Sequence, residues 1–381
     1  MTRQEEILAR MAYVTSHIPE AVRQQKDAGK KVIGIMPVYA PEELVHAAGM
    51  FPVGCWGGRA SVSKATRYLP PFACSIMQSV TEFAMSGVYD SLDGMLMSGP
   101  CDTLKCVTQN WLAACPQVPS AVVIYPNNHR LDCGVTYLEQ ELEKVKAFLE
   151  RIGGAAITER SLRRSIDIYN ENREALRQFT ELVSMRPGCV SAKARHAVMK
   201  SRYFMWKEEH TELVLALNEE LKEYPENAWK GRRIVLAGLM AEPDSLLELI
   251  DELGMAVVGD ELAQESRQIR TLVPQGEGGI HRLALQWKNR KGCTFLYDPD
   301  KKRAELLADL AEGTQADGVV LCLMKFCDPE EFDVPWLKKA LDAVHVPMLN
   351  LELELNTGSF EQARTRLQAF REQLDAYLAL C

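Results

Sequence analysis

The sequence predicts an α/β protein with two Rossmann-like (flavodoxin-like) parallel-sheet domains, joined by a helical connector. Three observations point to it. Short apolar runs alternate with helix-period segments in both halves of the chain, the pattern of strand–helix–strand units. Residues 158–224 separate these halves and carry no strand-like run. A length of 381 residues is enough for two cores of ordinary size. The boundaries that follow are 1–155 for N-terminal helices plus the first domain, 156–228 for the connector and 229–381 for the second domain.

Residues 2–30 read as one or two amphipathic helices, with Ile7, Met11 and Val14 spaced for one face. Residues 31–37, KVIGIMP, form a first buried strand. Pro41-Glu42-Glu43 opens a helix over 42–48: proline suits the first turn, and carboxylates suit the positive end of the helix dipole. Gly49 closes it. A second strand covers 51–56. A helix covers 76–87, a strand 92–98, a helix 104–114, a strand 118–125 and a long helix 137–152. The connector breaks at Arg186-Pro187-Gly188. Beyond it, strands are expected at 231–238, 255–258, 294–297, 319–324 and 347–353. Helices are expected at 244–253, around 261–270, and at 281–288, 301–311, 336–343 and 359–378.

Composition excludes several classes of function. The net charge is −8, so no basic surface for nucleic acid is expected. The apolar runs fall short of the roughly 20 residues that a membrane span requires. Residues 1–20 lack the apolar core of a signal peptide, so a cytoplasmic address is expected. No Walker A or dinucleotide glycine pattern is present, so neither ATP nor NAD is an expected ligand of this chain.

Eleven cysteines, an odd and dispersed set, argue against a disulfide framework and for soft metal or buried thiols. Cys115, Cys133, Cys322 and Cys381 read as inert. Cys74, Cys101 and Cys327 share one local grammar. Each lies at a strand end or helix start, with proline close by. Open α/β sheets place ligands at the carboxyl ends of their strands. The three thiols could therefore meet in the cleft between domains and hold one metal cluster. With no histidine beside them, they suit an iron–sulfur cluster with one iron open to another ligand. The alternative, on spacing alone, is three separate buried thiols.

Six segments carry a resemblance: PVYAPEELVHAAGMFPVG at 37–54, FACSIMQS at 72–79, CDTLKC with QNW at 101–111, YFMWKEEHTE at 203–212, DELAQESRQIRT at 260–271 and MKFCDPEEFD at 324–333. Together they resemble the (R)-2-hydroxyacyl-CoA dehydratase family, related to benzoyl-CoA reductases. The likeness is to the smaller, β-type subunit, in particular that of the 2-hydroxyisocaproyl-CoA enzyme. It implies a [4Fe-4S] cluster on Cys74, Cys101 and Cys327 between the two domains, with Cys106 and Cys322 left out of the ligand set. It further implies a larger homologous α subunit with a second cluster, an ATP-dependent iron–sulfur activator protein, and a 2-hydroxyacyl-CoA substrate at or near the subunit interface. The implied reaction removes water to give an (E)-2-enoyl-CoA through a ketyl radical anion. An unactivated C3–H is too weak an acid for an ordinary side-chain base.

No residue of this chain is assigned a catalytic step; Glu43, Glu261 and Glu265 are candidates to face the cleft. Glu43 otherwise reads as a first-turn charge, and Glu261, Glu265 and Arg267 as helix-end charges or surface pairs. Asp102, Lys325 and Asp328 flank the cysteines and are expected around the cluster; Lys325 and Asp328 otherwise pair with each other. His46 and His210 read as packing residues, and Lys301-Lys302-Arg303 as a solvated helix start. Two other functions fit the same chain: a non-catalytic flavodoxin-like scaffold subunit, and a homodimeric reductase of the double-cubane type.

Overall fold

A computed structural model describes residues 1–153, 155–226, 228–356 and 361–378. It contains two four-stranded sheets, both wholly parallel. In the first, β1 (Val32–Ile35), β2 (Phe51–Gly54), β3 (Gly94–Ser98) and β4 (Ser120–Val123) stand in the order β2-β1-β3-β4. In the second, β5 (Arg232–Gly238), β6 (Met255–Leu262), β7 (Gly318–Met324) and β8 (Met348–Leu353) repeat that order as β6-β5-β7-β8. Both faces of each sheet are covered, which is why the strands read as apolar runs rather than alternating ones. In each sheet the order reverses beside the first strand. That reversal leaves a crevice at the carboxyl ends of β1 and β3, and of β5 and β7.

The connector is helical: α7 (Glu159–Met185), α8 (Ala192–Ser201) and α9 (Lys207–Leu221). Its own core includes Leu176, Phe179, Val198 and Leu217. Ile7 and Met11 of α1 (Arg3–Ser16) belong to that core, not to the first sheet. The largest core surrounds the first sheet and runs into the seam between domains, where it takes in Leu239, Met324, Cys327 and Leu355.

Three expectations are corrected. Residues 294–297 form a turn, not a strand. Phe295 and Leu296 are buried against the first domain's core, so their apolarity serves packing. Likewise α12 (Gly279–Lys288) lies against α6 (Asp132–Gly153) of the first domain. β6 runs on to Leu262, through Asp260 and Glu261. A buried strand tolerates these carboxylates because arginines neutralise them, as described below. Finally, α14 begins at Asp328, not near Trp336. Pro329 falls in its first turn, where a missing N–H costs nothing, and Pro335 is carried inside it. Of the last expected helix, residues 359 and 360 lie outside the described residues, as does Cys381.

Gly238 ends β5 at φ +122°, and a Cβ there would stand 2.2 Å from the Cys322 carbonyl oxygen. Backbone, not a flexible side chain, blocks it. Gly238→Ala is expected to cost about 2–4 kcal/mol in denaturant unfolding. A loss below about 0.5 kcal/mol would contradict the stated contact.

Candidate cluster site

Three helix N-termini meet at the seam, and each is capped by a cysteine. Cys74 precedes α4 (Ser75–Met85), Cys101 precedes α5 (Asp102–Ala114) and Cys327 precedes α14 (Asp328–Ala343). Cys101 follows the last residue of β3, Ser98, by three positions; Cys327 follows the last residue of β7, Met324, by three positions. They occupy equivalent places in the two sheets, each at the crevice where strand order reverses. At Phe326 the chain takes a left-handed turn, φ +63°, and the Cys327 N–H then donates to the Met324 carbonyl at 3.0 Å.

Cys74 and Cys327 are buried in the seam core, and half-buried Cys101 packs against it. Burial pushes the Cys74 thiol up to about 11, and the charge of Cys101 adds to that push. Cys327 is driven well above the ordinary thiol range by burial, then by the Glu330 carboxylate, then by Cys74 and Cys101. Burial also raises Cys101. The three sulfurs therefore sense one another's charge. Backbone N–H groups oppose these shifts: those of Met77 and Ile76 at Cys74, of Leu104 and Thr103 at Cys101, and of Glu330 at Cys327.

That donor set fits a cationic inorganic core held by three thiolates. Three thiolates left bare would repel, whereas a cationic centre between them would satisfy each. Helix N-termini and their N–H groups stabilise negative charge on sulfur. Among the described residues no three His, Cys, Asp or Glu side chains gather tightly enough for a single metal ion. A cubane spreads its irons over separate corners, so its thiolates stand further apart than the ligands of one ion. The seam is closed beside the site by Ser75, whose hydroxyl donates to Met324 Sδ at 3.1 Å and accepts from the Leu355 N–H at 3.0 Å.

Cys322 lies in β7 but packs into the second domain's core, where burial lifts its thiol to about 12. Cys106 and Cys133 are exposed, and Cys115 is buried in the first domain. Asp102 is solvent-facing, 3.6 Å from Lys105. Asp328 is exposed in the first turn of α14. Lys325 pairs with Glu354 at 3.2 Å and lies over the Phe326 ring; its partner is not Asp328.

The three candidate glutamates are buried, and each is held by cations. Glu43 meets Arg173. Glu261 meets Arg267 and Arg303, the latter at 3.0 Å. Glu265 accepts from Arg195 at 2.7 Å and pairs with His196 Nδ1 at 2.7 Å. These are interior ion pairs, not surface ones. His46 and His210 are hydrogen-bonded within the connector packing, His46 to Ser165 and His210 to Asn172.

Burial opposes a charge on His196, but Glu242 and Glu265 outweigh it and lift its pKa from 6.5 to about 9. The Nε2 stands 3.6 Å from Glu242, a charge pair rather than a hydrogen bond. A raised folded-state value gives stability that is complete below pH 6.5 and lost as pH rises through 9. The span is worth roughly 3 kcal/mol. His196→Gln should flatten the fall in unfolding free energy across that window; a profile unchanged from the parent protein contradicts the assignment.

Glu330 escaped the reading of the sequence. Fully buried in the first turn of α14, it accepts from Arg267 at 3.0 Å and Arg303 at 2.6 Å, and its carboxylate acts on Cys327. The signal was present in Cys-Asp-Pro-Glu-Glu: a proline in the first turn starts a helix at Asp328, which turns Glu330 inward beside the cysteine.

Residues 37–374 match the family profile described as 2-hydroxyglutaryl-CoA dehydratase, D-component. The chain is 44% identical over 377 residues to the lactoyl-CoA dehydratase subunit beta of Anaerotignum propionicum, covering 98% of this chain and 100% of that relative. It is 42% identical over 353 residues to the (R)-phenyllactyl-CoA dehydratase beta subunit of Clostridium sporogenes, covering 93% and 94%. With the beta subunit of (R)-2-hydroxyglutaryl-CoA dehydratase from Acidaminococcus fermentans it shares 36% over 356 residues, 92% and 94% of the two chains. With matches of this length around one thiol-lined seam, the chain belongs to the 2-hydroxyglutaryl-CoA dehydratase D-component family and is a dehydratase, or hydro-lyase, subunit.

Proposed function

We propose that this chain is the β-type subunit of a (R)-2-hydroxyacyl-CoA dehydratase and that Cys74, Cys101 and Cys327 hold a [4Fe-4S] cluster. One observation carries the reading: three cysteines from distant parts of the sequence cap three helices at one buried seam and sense one another's charge. When bound, such a cluster supplies one-electron chemistry at low potential. The reaction is the reversible loss of water from a 2-hydroxyacyl-CoA to an (E)-2-enoyl-CoA. One electron added to the thioester carbonyl gives a ketyl radical anion on the substrate, which expels the neighbouring hydroxyl. The radical left has a far more acidic C3–H, and once that proton is lost the electron is returned.

What the residues of this chain do is hold and shield. The seam core around Cys74 and Cys327 excludes water, which raises the weight of every charge near the thiolates. N–H groups of Met77, Leu104 and Glu330 stabilise negative sulfur, while the Glu330 carboxylate opposes it. Hydrogen bonds and burial of this kind set the potential of a cluster. The glutamates are locked to arginines, so none is free to move a proton. The chain relays or stores an electron for a larger α subunit with its own cluster, charged by an ATP-dependent activator, in the cytoplasm of an anaerobe. The three relatives are named for lactoyl, phenyllactyl and 2-hydroxyglutaryl groups. Names that differ in acyl group among similar β chains support an acyl pocket carried mainly by the partner subunit.

The test is an anaerobic dehydratase assay of this chain with its co-purifying subunit and activator, across several 2-hydroxyacyl-CoA thioesters. Enoyl-CoA formation that requires this chain is expected. Equal turnover without it would overturn the proposal.

A further inference from the structure

A small cavity lies under Tyr39. It measures about 30 Å³ and is lined by Tyr39, Tyr169, Arg173, Arg202, Trp287 and Arg290, and by the carboxylates of Glu42 and Glu43. Its charges do not balance. Glu42 is neutralised by Lys207 at 2.8 Å and Glu43 by Arg173. Arg202 and Arg290 remain, and among the described residues neither has a carboxylate at ion-pair distance. Both are nearly fully buried, at 3% and 6% exposure.

The arginines are short of partners as well as counter-charges. Nε and Nη1 of Arg202, Nε of Arg173 and the Tyr169 hydroxyl are buried with no hydrogen-bond partner. Arg290 lies 4.0 Å over the Tyr39 ring and spends one donor on the Arg267 carbonyl at 3.3 Å. Its protonated form is disfavoured first by burial, with Arg173 adding to the effect. Buried guanidinium groups without counter-charge cost several kcal/mol, and an oxyanion between their planar forks would remove that cost. Arg290 also lines an open groove of about 640 Å³ of mixed charge, with Lys288, Lys291 and Lys302 beside Asp298, Asp300 and Glu305, which gives an approach to the same residue from solvent.

We propose that this cavity binds a small planar oxyanion of the carboxylate, nitrate or bicarbonate class, held by Arg173, Arg202 and Arg290. Its volume admits one such ion and excludes a nucleotide or thioester chain. Binding offsets one of the two positive charges, those of Arg202 and Arg290, that the cavity's carboxylates leave uncompensated. The Arg residues stay charged at any working pH, so binding of formate or nitrate, which also stay charged, is flat across the neutral range.

The probe is formate, titrated against the full chain as purified with its subunit, ionic strength being held constant with bulky gluconate. A saturable rise in the unfolding midpoint is expected, about 3 °C at a hundredfold excess over Kd. Arg290→Met should weaken the apparent affinity at least about thirtyfold. Equal shifts in parent and variant would overturn the site. Should the variant fail to fold, crystals of the parent soaked in bromide decide the matter. An anomalous peak between Arg202 and Arg290 supports the proposal, and its absence from that cavity defeats it.

Discussion

Cys101→Ala is expected to strip most of the iron from protein purified without oxygen, from about four atoms per chain toward none, while Cys106→Ala leaves the content unchanged. The two cysteines lie five positions apart, and they differ in every physical respect that matters. Cys101 caps α5 at the seam, half-buried, with N–H groups of Leu104 and Thr103 on its sulfur. Cys106 is exposed to solvent, inside the helix. A cluster on three protein thiolates cannot lose one without also losing much of its affinity. Iron and sulfide assays, with the visible absorption of the brown protein, read the result. Equal iron in the two variants would remove Cys101 from the ligand set.

Arg303→Met is expected to destabilise the fold by about 3–5 kcal/mol. Arg303 is 3% exposed in its side chain and joins three carboxylates: Glu261 at 3.0 Å, Glu330 at 2.6 Å and Asp333 at 3.1 Å. Its removal leaves these buried charges to share Arg267 and Lys301. The exposed pair of Arg177 with Glu174 provides the control; Arg177→Met should change stability by no more than about 0.5 kcal/mol. Denaturant unfolding of the two variants measures the contrast. A loss under about 1 kcal/mol for Arg303→Met would show that the network is not held as described.

How much of this could be read in advance depended on the kind of signal. Apolar runs such as GVVLCLM in β7 announced buried parallel strands because both faces are covered. The places of Cys74 and Cys101 at helix starts, and of Cys327 just past a strand end, could be read because proline and strand-end grammar are local. That Cys327 also caps a helix could not, since the helix was expected only from Trp336. Charge in the interior could not. Asp260 and Glu261 read as lying past a strand that ended at Val258, with Glu261 opening a loop and helix, yet they sit inside β6. Their partners, Arg195 and Arg303, come from positions far away in sequence. The same holds for residues 294–297, whose apolar side chains met a core already built by the first domain instead of a neighbouring strand. The equivalence of Cys101 and Cys327 was hidden as well, since it lies in strand order and not in sequence similarity.

An anaerobic crystal structure with iron anomalous scattering tests the central claim most directly. The account predicts one compact iron peak in the seam, bonded to the sulfurs of Cys74, Cys101 and Cys327 together. Iron bound elsewhere, or a seam in which any of those three sulfurs makes no bond to it, would contradict the account.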